Sequence, residues 1–317
     1  MDREKVSQQK DKTTIIGSNK TKSVVEHAAK IIFLVCAVLS IVAVASITFY
    51  MILNGTPAIF TVGLKEILFG TKWAPSAAEP SYGILYVILT SIVGTFMAIL
   101  IGVPIGILTA VFLAEVADRK LAAVVRPTIE LLAGIPSVIY GLLGILILNP
   151  FMYKLELIIF KDSKTHQFTG GSNLLSAVLV LAIMILPTVI NISESSLKAV
   201  PGYLRASSLA LGATRLQTIF KVVLPAAKSG ILTAIVLGVG RAIGEAMAIT
   251  LVSGSSVNMP LPFNSVRFLT TAIVSEMGYA ADVHRQVLFT IGLVLFAFIM
   301  AINGLLQKIM TKDNQTS

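Results

Sequence analysis

Six apolar runs dominate this 317-residue sequence, at 31–53, 82–113, 128–149, 174–192, 230–252 and 287–307. About 20 apolar residues in helical conformation cross the hydrocarbon core of a bilayer, and each run is of that order or longer. The runs therefore predict an all-α polytopic membrane protein with six transmembrane helices. Composition agrees, with 55% hydrophobic and 13% charged residues, where soluble domains carry about 25% charged. The second run is overlong and has Pro104 between Gly102 and Gly106. A bend there, or an extension of that helix beyond the membrane, is expected.

Lysines and arginines give the direction. Segments 1–30, 114–127, 193–229 and 308–317 hold seventeen of them, whereas 54–81, 150–173 and 253–286 hold seven. The positive-inside rule puts both termini and the 193–229 segment in the cytoplasm. The net charge of +9 is then topological, and no nucleic-acid partner is implied. A basic leader (1–30), expected to be disordered, precedes the membrane domain (31–310), and a cytoplasmic tail (311–317) follows. Ala43-Val44-Ala45 has the small residues of a signal-peptidase site, but the run continues to Leu53 after a 30-residue polar leader. The first span is expected to stay in the mature chain.

Several functions are excluded. A single cysteine, Cys36, permits neither an intrachain disulfide nor a cysteine metal site, and His27, His166 and His284 are scattered. The chain has no Gly-x-x-x-x-Gly-Lys-Ser/Thr loop for ATP and no matched nucleophile and base. No cofactor and no covalent catalysis are implied.

The loop at 197–225 is not a passive linker. Pro201 suits a helix start, and Leu204, Ser208 and Leu211 share a face. After Gly212, Leu216, Ile219, Phe220 and Val223 form a second apolar stripe that Pro225 stops. A helix, a glycine bend and another helix are predicted. Such an amphipathic hairpin can lie on the surface or dock in a partner's groove.

Two charges break the fifth run. Arg241 and Glu245, in Gly-Val-Gly-Arg-Ala-Ile-Gly-Glu, stand four residues apart, so a continuous helix would put them on one face, where they can pair. A lone charge at the bilayer centre costs about 2.5–3.5 kcal/mol on insertion scales. Pairing explains tolerance, not purpose. Either the pair fixes helix packing, or Arg241 lines an anion path with Glu245 holding it. Gly240-x-x-x-Gly244 lets another helix approach closely, so this face is expected to be covered by protein. In the third run, Gly134-Ile135-Pro136-Ser137 is a second candidate. Pro136 removes a backbone donor and frees acceptors that line a cavity or are covered by protein, and Ser137 offers a hydroxyl. A plain packing kink is the rival there, Pro187 is read as a kink, and Glu130 as interfacial.

The loop resembles the binding-protein-dependent ABC importer permeases. These carry a cytoplasmic Glu-Ala-Ala, then Gly, then Leu-Pro. Here Ala206-Ser207-Ser208 stands in the first position, Gly212 in the second, and Leu224-Pro225 in the third. Glutamate is replaced by Ala206. "IELLAGIPSVIYGLLG" at 129–144 and "GRAIGEAMAITLVSG" at 240–254 look like the phosphate-specific branch, in its C-type permease. The resemblance implies a MetI-like permease core that supplies half of a translocation path beside a homologous second permease of the A type. It also implies two copies of a cytoplasmic ATPase, an external phosphate-binding protein, and a docking loop around Leu204, Arg205, Ala206–Ser208 and Gly212. The A-type sister and another oxyanion stay open. So does an ion-coupled carrier with Arg241 and Glu245 as relay, although such a carrier needs no docking helix.

Overall fold

A computed structural model describes residues 20–314; most of the 1–30 leader and the end of the tail lie outside them. Helix α1 (Lys20–Ala58) runs through a π-helical turn, Ile59–Gly63, into α2 (Leu64–Phe69). The chain divides after Tyr50 into two units. In the first, Phe33, Ile41, Val44 and Phe49 are all exposed. A helix this apolar on its outside is a membrane span, since water would not tolerate it.

The second unit begins within the last turns of α1 and continues through α2 to a small antiparallel hairpin, β1 (Trp73–Ala74) and β2 (Ser81–Tyr82), with Trp73 opposite Tyr82. Helix α3 (Leu85–Val111) passes Pro104 without a break and ends in a π-helical turn, Phe112–Val116. The overlong run is therefore an extension. Next come α4 (Arg119–Gly134), α5 (Ser137–Leu143), a π-helical turn at Gly144–Leu148, and α6 (Asn149–Ile159). The third span was expected at 128–149, but the membrane-length helix runs from Ser137 to Ile159. Pro136 causes the shift: it has no N–H to donate and forces Ile135 out of the helical region, to φ −69° and ψ 127°.

Helix α7 (Leu174–Lys198) is the centre of the unit and is buried on most of its faces. Asn173 caps it, its side chain accepting from Ser176 N at 3.0 Å. The 197–225 loop forms α8 (Gly202–Ala210), α9 (Arg215–Thr218), a π-helical turn at Ile219–Val223, and α10 (Leu224–Ala226). A 69° bend then leads into α11 (Lys228–Gly244). Helix α12 (Met247–Val252), α13 (Leu269–Glu276) and α14 (Asp282–Asn314) complete the order. Five described helices are long and apolar enough to cross a membrane, or six with the bent pair as one span.

Small residues set how closely α3 and α11 approach α7. A Cβ built on Gly102 would lie 2.7 Å from Ile185 Cδ1, and one on Gly106 would lie 2.8 Å from Val189 Cγ1. From the other side, one on Gly238 would lie 3.0 Å from Val189 Cγ2. Dispersion between close backbones holds such helices in lipid, where no hydrophobic force drives them together.

Candidate substrate path and docking loop

The expected pair of Arg241 and Glu245 does not form. Helix α11 stops at Gly244, and Glu245 is extended, with φ −72° and ψ 131°. Helical i, i+4 geometry is lost, and among the described residues no ion pair joins the two. Glu245 turns forward instead: its carboxylate accepts from Ala248 N at 3.0 Å, in the first turn of α12. Its carbonyl accepts from Thr270 Oγ1 at 2.7 Å. Both sides of the break are thus satisfied, as buried backbone requires.

Arg241 is left half-buried, about 20 Å along α11 from Lys228 at 1.5 Å per residue. Its guanidinium reaches Thr188 Oγ1 on α7 at 3.5 Å, the long limit of a hydrogen bond. The glycine face beside it is open. A Cβ on Gly240 or on Gly244 would meet nothing within 4 Å, so no described helix of this chain packs closely on these two glycines.

The other break closes differently. Pro136 precedes α5 and Ser137 is its first residue. Tyr140 bridges the gap, its hydroxyl donating to Leu132 O at 2.7 Å. Pro136 is exposed and Ser137 half-buried. The two breaks are neighbours: a Cβ on Gly141 of α5 would stand 2.9 Å from Ala248 Cα of α12. The breaks at Pro136 and Glu245, 109 residues apart in sequence, meet here through one packed pair of short helices.

The loop has the helix–glycine–helix form the sequence predicts. Gly212 sits between α8 and α9 at φ +86°. Thr214 and Gln217 cap α9 reciprocally, and Ser208 Oγ is 2.9 Å from Thr218 Oγ1 across the hairpin. Leu204 and Leu224 pack on a core cluster that includes Val200, Ile219 and Val223. Pro225, Ala206 and Ser207 are exposed, and Leu211 is 90% exposed at the hairpin tip. Tyr203, Leu216 and Phe220 add further exposed apolar surface. Arg205 turns inward, its Nη2 donating to Glu115 Oε1 at 2.6 Å.

Sequence reasoning missed the buried carboxylates. At the end of the unit opposite the loop, Glu156 is fully buried, 2.7 Å from His166 Nε2 and accepting from Thr169 N at 2.9 Å. His166 stacks on Phe160 and helps line a polar cavity of about 700 Å³ with Asn258, Asn264 and Ser265. Glu276, also buried, binds Arg267, Trp73 Nε1 at 3.1 Å and His284 Nε2 at 2.7 Å. Trp73 lies 203 residues from Glu276, and the other partners lie 8 to 13 residues away across irregular segments, where no helical or strand spacing rule pairs them.

Comparison with known proteins bears on all of this. Residues 102–313 match the family described as the binding-protein-dependent transport system inner membrane component. The chain belongs to this family. Among its relatives, a Bacillus subtilis protein named "Probable ABC transporter permease protein YqgH" is 39% identical over 92% of this chain and 94% of its own length. A Xylella fastidiosa protein named "Phosphate transport system permease protein PstC" is 33% identical over 92% of this chain and 93% of its own. In fold, the chain is similar to a bacterial alginate ABC transporter chain (TM-score 0.62, 14% identity, 89% and 94% coverage). It is likewise similar to a chain of the MetNI methionine ABC transporter (TM-score 0.51, 20% identity, 73% and 94% coverage). The family is a multi-pass inner-membrane permease family, and the matched residues include both breaks and the 197–225 hairpin.

Proposed function

We propose that this chain is the permease subunit of an ATP-driven importer that moves inorganic phosphate across the cytoplasmic membrane. The observation that carries the substrate is the 31–35% identity, over 73–92% of the chain, to proteins named as phosphate transport permeases. In this reading both termini and the 197–225 hairpin face the cytoplasm. Tyr203, Ala206, Ser207, Leu211, Leu216 and Phe220 form the surface on which a cytoplasmic ATPase seats. Two ATPase copies, an external phosphate-binding protein and a homologous second permease complete the assembly. The open Gly240/Gly244 face supports a second permease as the helix that covers it.

Arg241 is the anion contact within the path. A guanidinium at membrane depth without a carboxylate partner belongs where water or an anion reaches it, since lipid would not hold it cheaply. Its planar fork of donors matches a tetrahedral oxyanion. Pro136 and Ser137 lie at the neighbouring break and border the same path. The chain itself performs no covalent step; ATP hydrolysis takes place on the partner.

The test is uptake of radiolabelled phosphate by cells with and without the chain. Vanadate-sensitive, protonophore-resistant uptake that needs the chain is the expected result. Uptake abolished by the protonophore would assign an ion-coupled carrier instead. Stronger competition by molybdate or sulfate than by phosphate itself would assign another oxyanion.

A further inference from the structure

Arg205 and Glu115 are 90 residues apart in sequence, and their side chains are 25% and 11% exposed. The guanidinium serves three elements at once. Its Nε and Nη2 grip the Glu115 carboxylate at 3.2 and 2.6 Å, in the π-helical turn that ends α3. Nη2 also donates to Leu197 O at 2.8 Å, in the last turn of α7, and Nη1 donates to Val200 O at 2.6 Å, just before α8. With four donor contacts fixed inside the chain, little of this arginine is left for an outside partner.

The apolar contacts of the same hairpin are of another kind. Leu204 packs on the apolar cluster that includes Val200 and Ile219, and packed apolar faces slide past one another in small shear movements. A forked guanidinium–carboxylate contact fixes direction as well as distance. The two helices it grips, α3 and α7, pack on each other through Gly102 and Gly106, and α7 carries Thr188, the contact of Arg241. A second charged contact also holds the end of α7. Glu194 takes Arg126 of α4 at 2.5 Å and Lys198 at 2.7 Å, and Arg126 also donates to Leu113 O. The end of α7 is therefore held by two charged contacts, and of the two the Arg205 contact reaches the hairpin. Glu115 also sits in a π-helical turn, a wider turn that recurs at functional positions in helices.

We propose that Arg205 and Glu115 are positioning residues that form a strut, transmitting movement of the docking hairpin to α3 and α7 and so to the Arg241 region. This rests on the docking reading above. In it, the ATPase pushes on the exposed tip around Leu211, and α8 moves the two membrane helices through this ion pair rather than sliding over them.

The experiment co-expresses the chain with its ATPase, binding protein and second permease, and reconstitutes the complex into vesicles. ATP hydrolysed and radiolabelled phosphate imported are measured together for Glu115→Gln and Arg205→Lys. Glutamine keeps the shape but drops the charge; lysine keeps the charge but gathers its three donors on one nitrogen, losing the contacts now spread over Nε, Nη1 and Nη2. The ATPase is expected to co-purify at the wild-type yield and to keep hydrolysing ATP. Phosphate imported per ATP should fall about tenfold, within the range typical of coupling free energies between sites. An unchanged ratio in both variants overturns the strut. Loss of the ATPase from both variants overturns it too, because the pair would then only shape the docking surface. If the wild-type chain retains no ATPase, the docking reading itself fails and the strut with it. Should Glu115→Gln fail to insert, Arg205→Lys decides alone.

Discussion

Gly141 of α5 lies against Ala248 of α12 so closely that a Cβ on the glycine would stand 2.9 Å from the alanine Cα and 2.7 Å from Leu251 Cδ1. Backbone cannot yield as a side-chain tip can. This contact brings the break at Pro136 next to the break at Glu245 and fixes both. Gly141→Val should therefore destabilise the purified chain, by about 1–3 kcal/mol if overpacking here behaves as in other cores. Its thermal transition in detergent should fall and phosphate uptake should be lost. Gly240→Leu is the contrast, since a Cβ there would meet nothing within 4 Å among the described residues. It should leave that transition unchanged and instead reduce co-purification of the second permease. Equal destabilisation by the two changes would mean the Gly240 face is already covered.

Orientation has its own test. In a Cys36→Ser background, Thr165→Cys should react with an impermeant thiol reagent added outside intact cells, and Ser207→Cys should not. Both positions are exposed. The opposite labelling pattern would invert the arrangement that the seventeen-to-seven division of basic residues predicts.

The hairpin turn depends on Gly212 at φ +86°. A β-branched residue is a genuine outlier at such an angle, and the left-handed region costs L-residues about 1–2 kcal/mol. A Cβ there would touch nothing, so the cost is conformational alone. Gly212→Val should shift the tip that carries Leu211, leaving the chain in the membrane with little ATPase bound. Gly212→Asn, which tolerates that angle better, should restore part of the binding. A purely steric role would make both variants equal.

The spans were legible because hydrocarbon imposes one rule on every residue of a run: apolar, helical and long. The hairpin was legible too, since Gly212 and the 3.6-residue periodicity are local signals. The third and fifth spans went wrong at their interruptions. Pro136 announced a break, but not that the membrane helix would restart there and end at Ile159. Gly244 and Glu245 announced nothing, because what ends α11 is tertiary: Thr270, 25 residues on, binds the Glu245 carbonyl. The i, i+4 rule holds only inside a helix, so the expected ion pair vanished with the helix. Glu115, Glu156 and Glu276 were invisible for the same reason. Arg205 comes to Glu115 from 90 residues away, and the partners of Glu156 and Glu276 at 8 to 13 residues are brought back by irregular turns that have no periodic signal.

Arg241 carries the last prediction, and the structure sharpens its test. Had it paired with Glu245, exchanging the two residues would have kept a contact. They do not touch, so the exchange asks less than single changes do. Glu245→Gln keeps an oxygen to accept from Ala248 N and removes the charge; insertion and assembly should be normal. Arg241→Lys keeps the charge but loses the planar fork. Hydrogen bonds to charged groups contribute about 1.5–3 kcal/mol, so the loss of one such bond to a phosphate oxygen should cut uptake about tenfold or more. Thr188→Val removes the hydrogen bond that Arg241 makes to Thr188 Oγ1 at 3.5 Å. If that contact only steadies the guanidinium, uptake should fall less than with Arg241→Lys. The readouts are initial uptake rates at limiting and at saturating phosphate, with ATPase retention measured beside them. A loss confined to limiting phosphate marks a binding contact, and a loss at both marks a contact made during passage. Wild-type rates at both concentrations in Arg241→Lys would remove the guanidinium from the path and leave it as a charge that only packs helices.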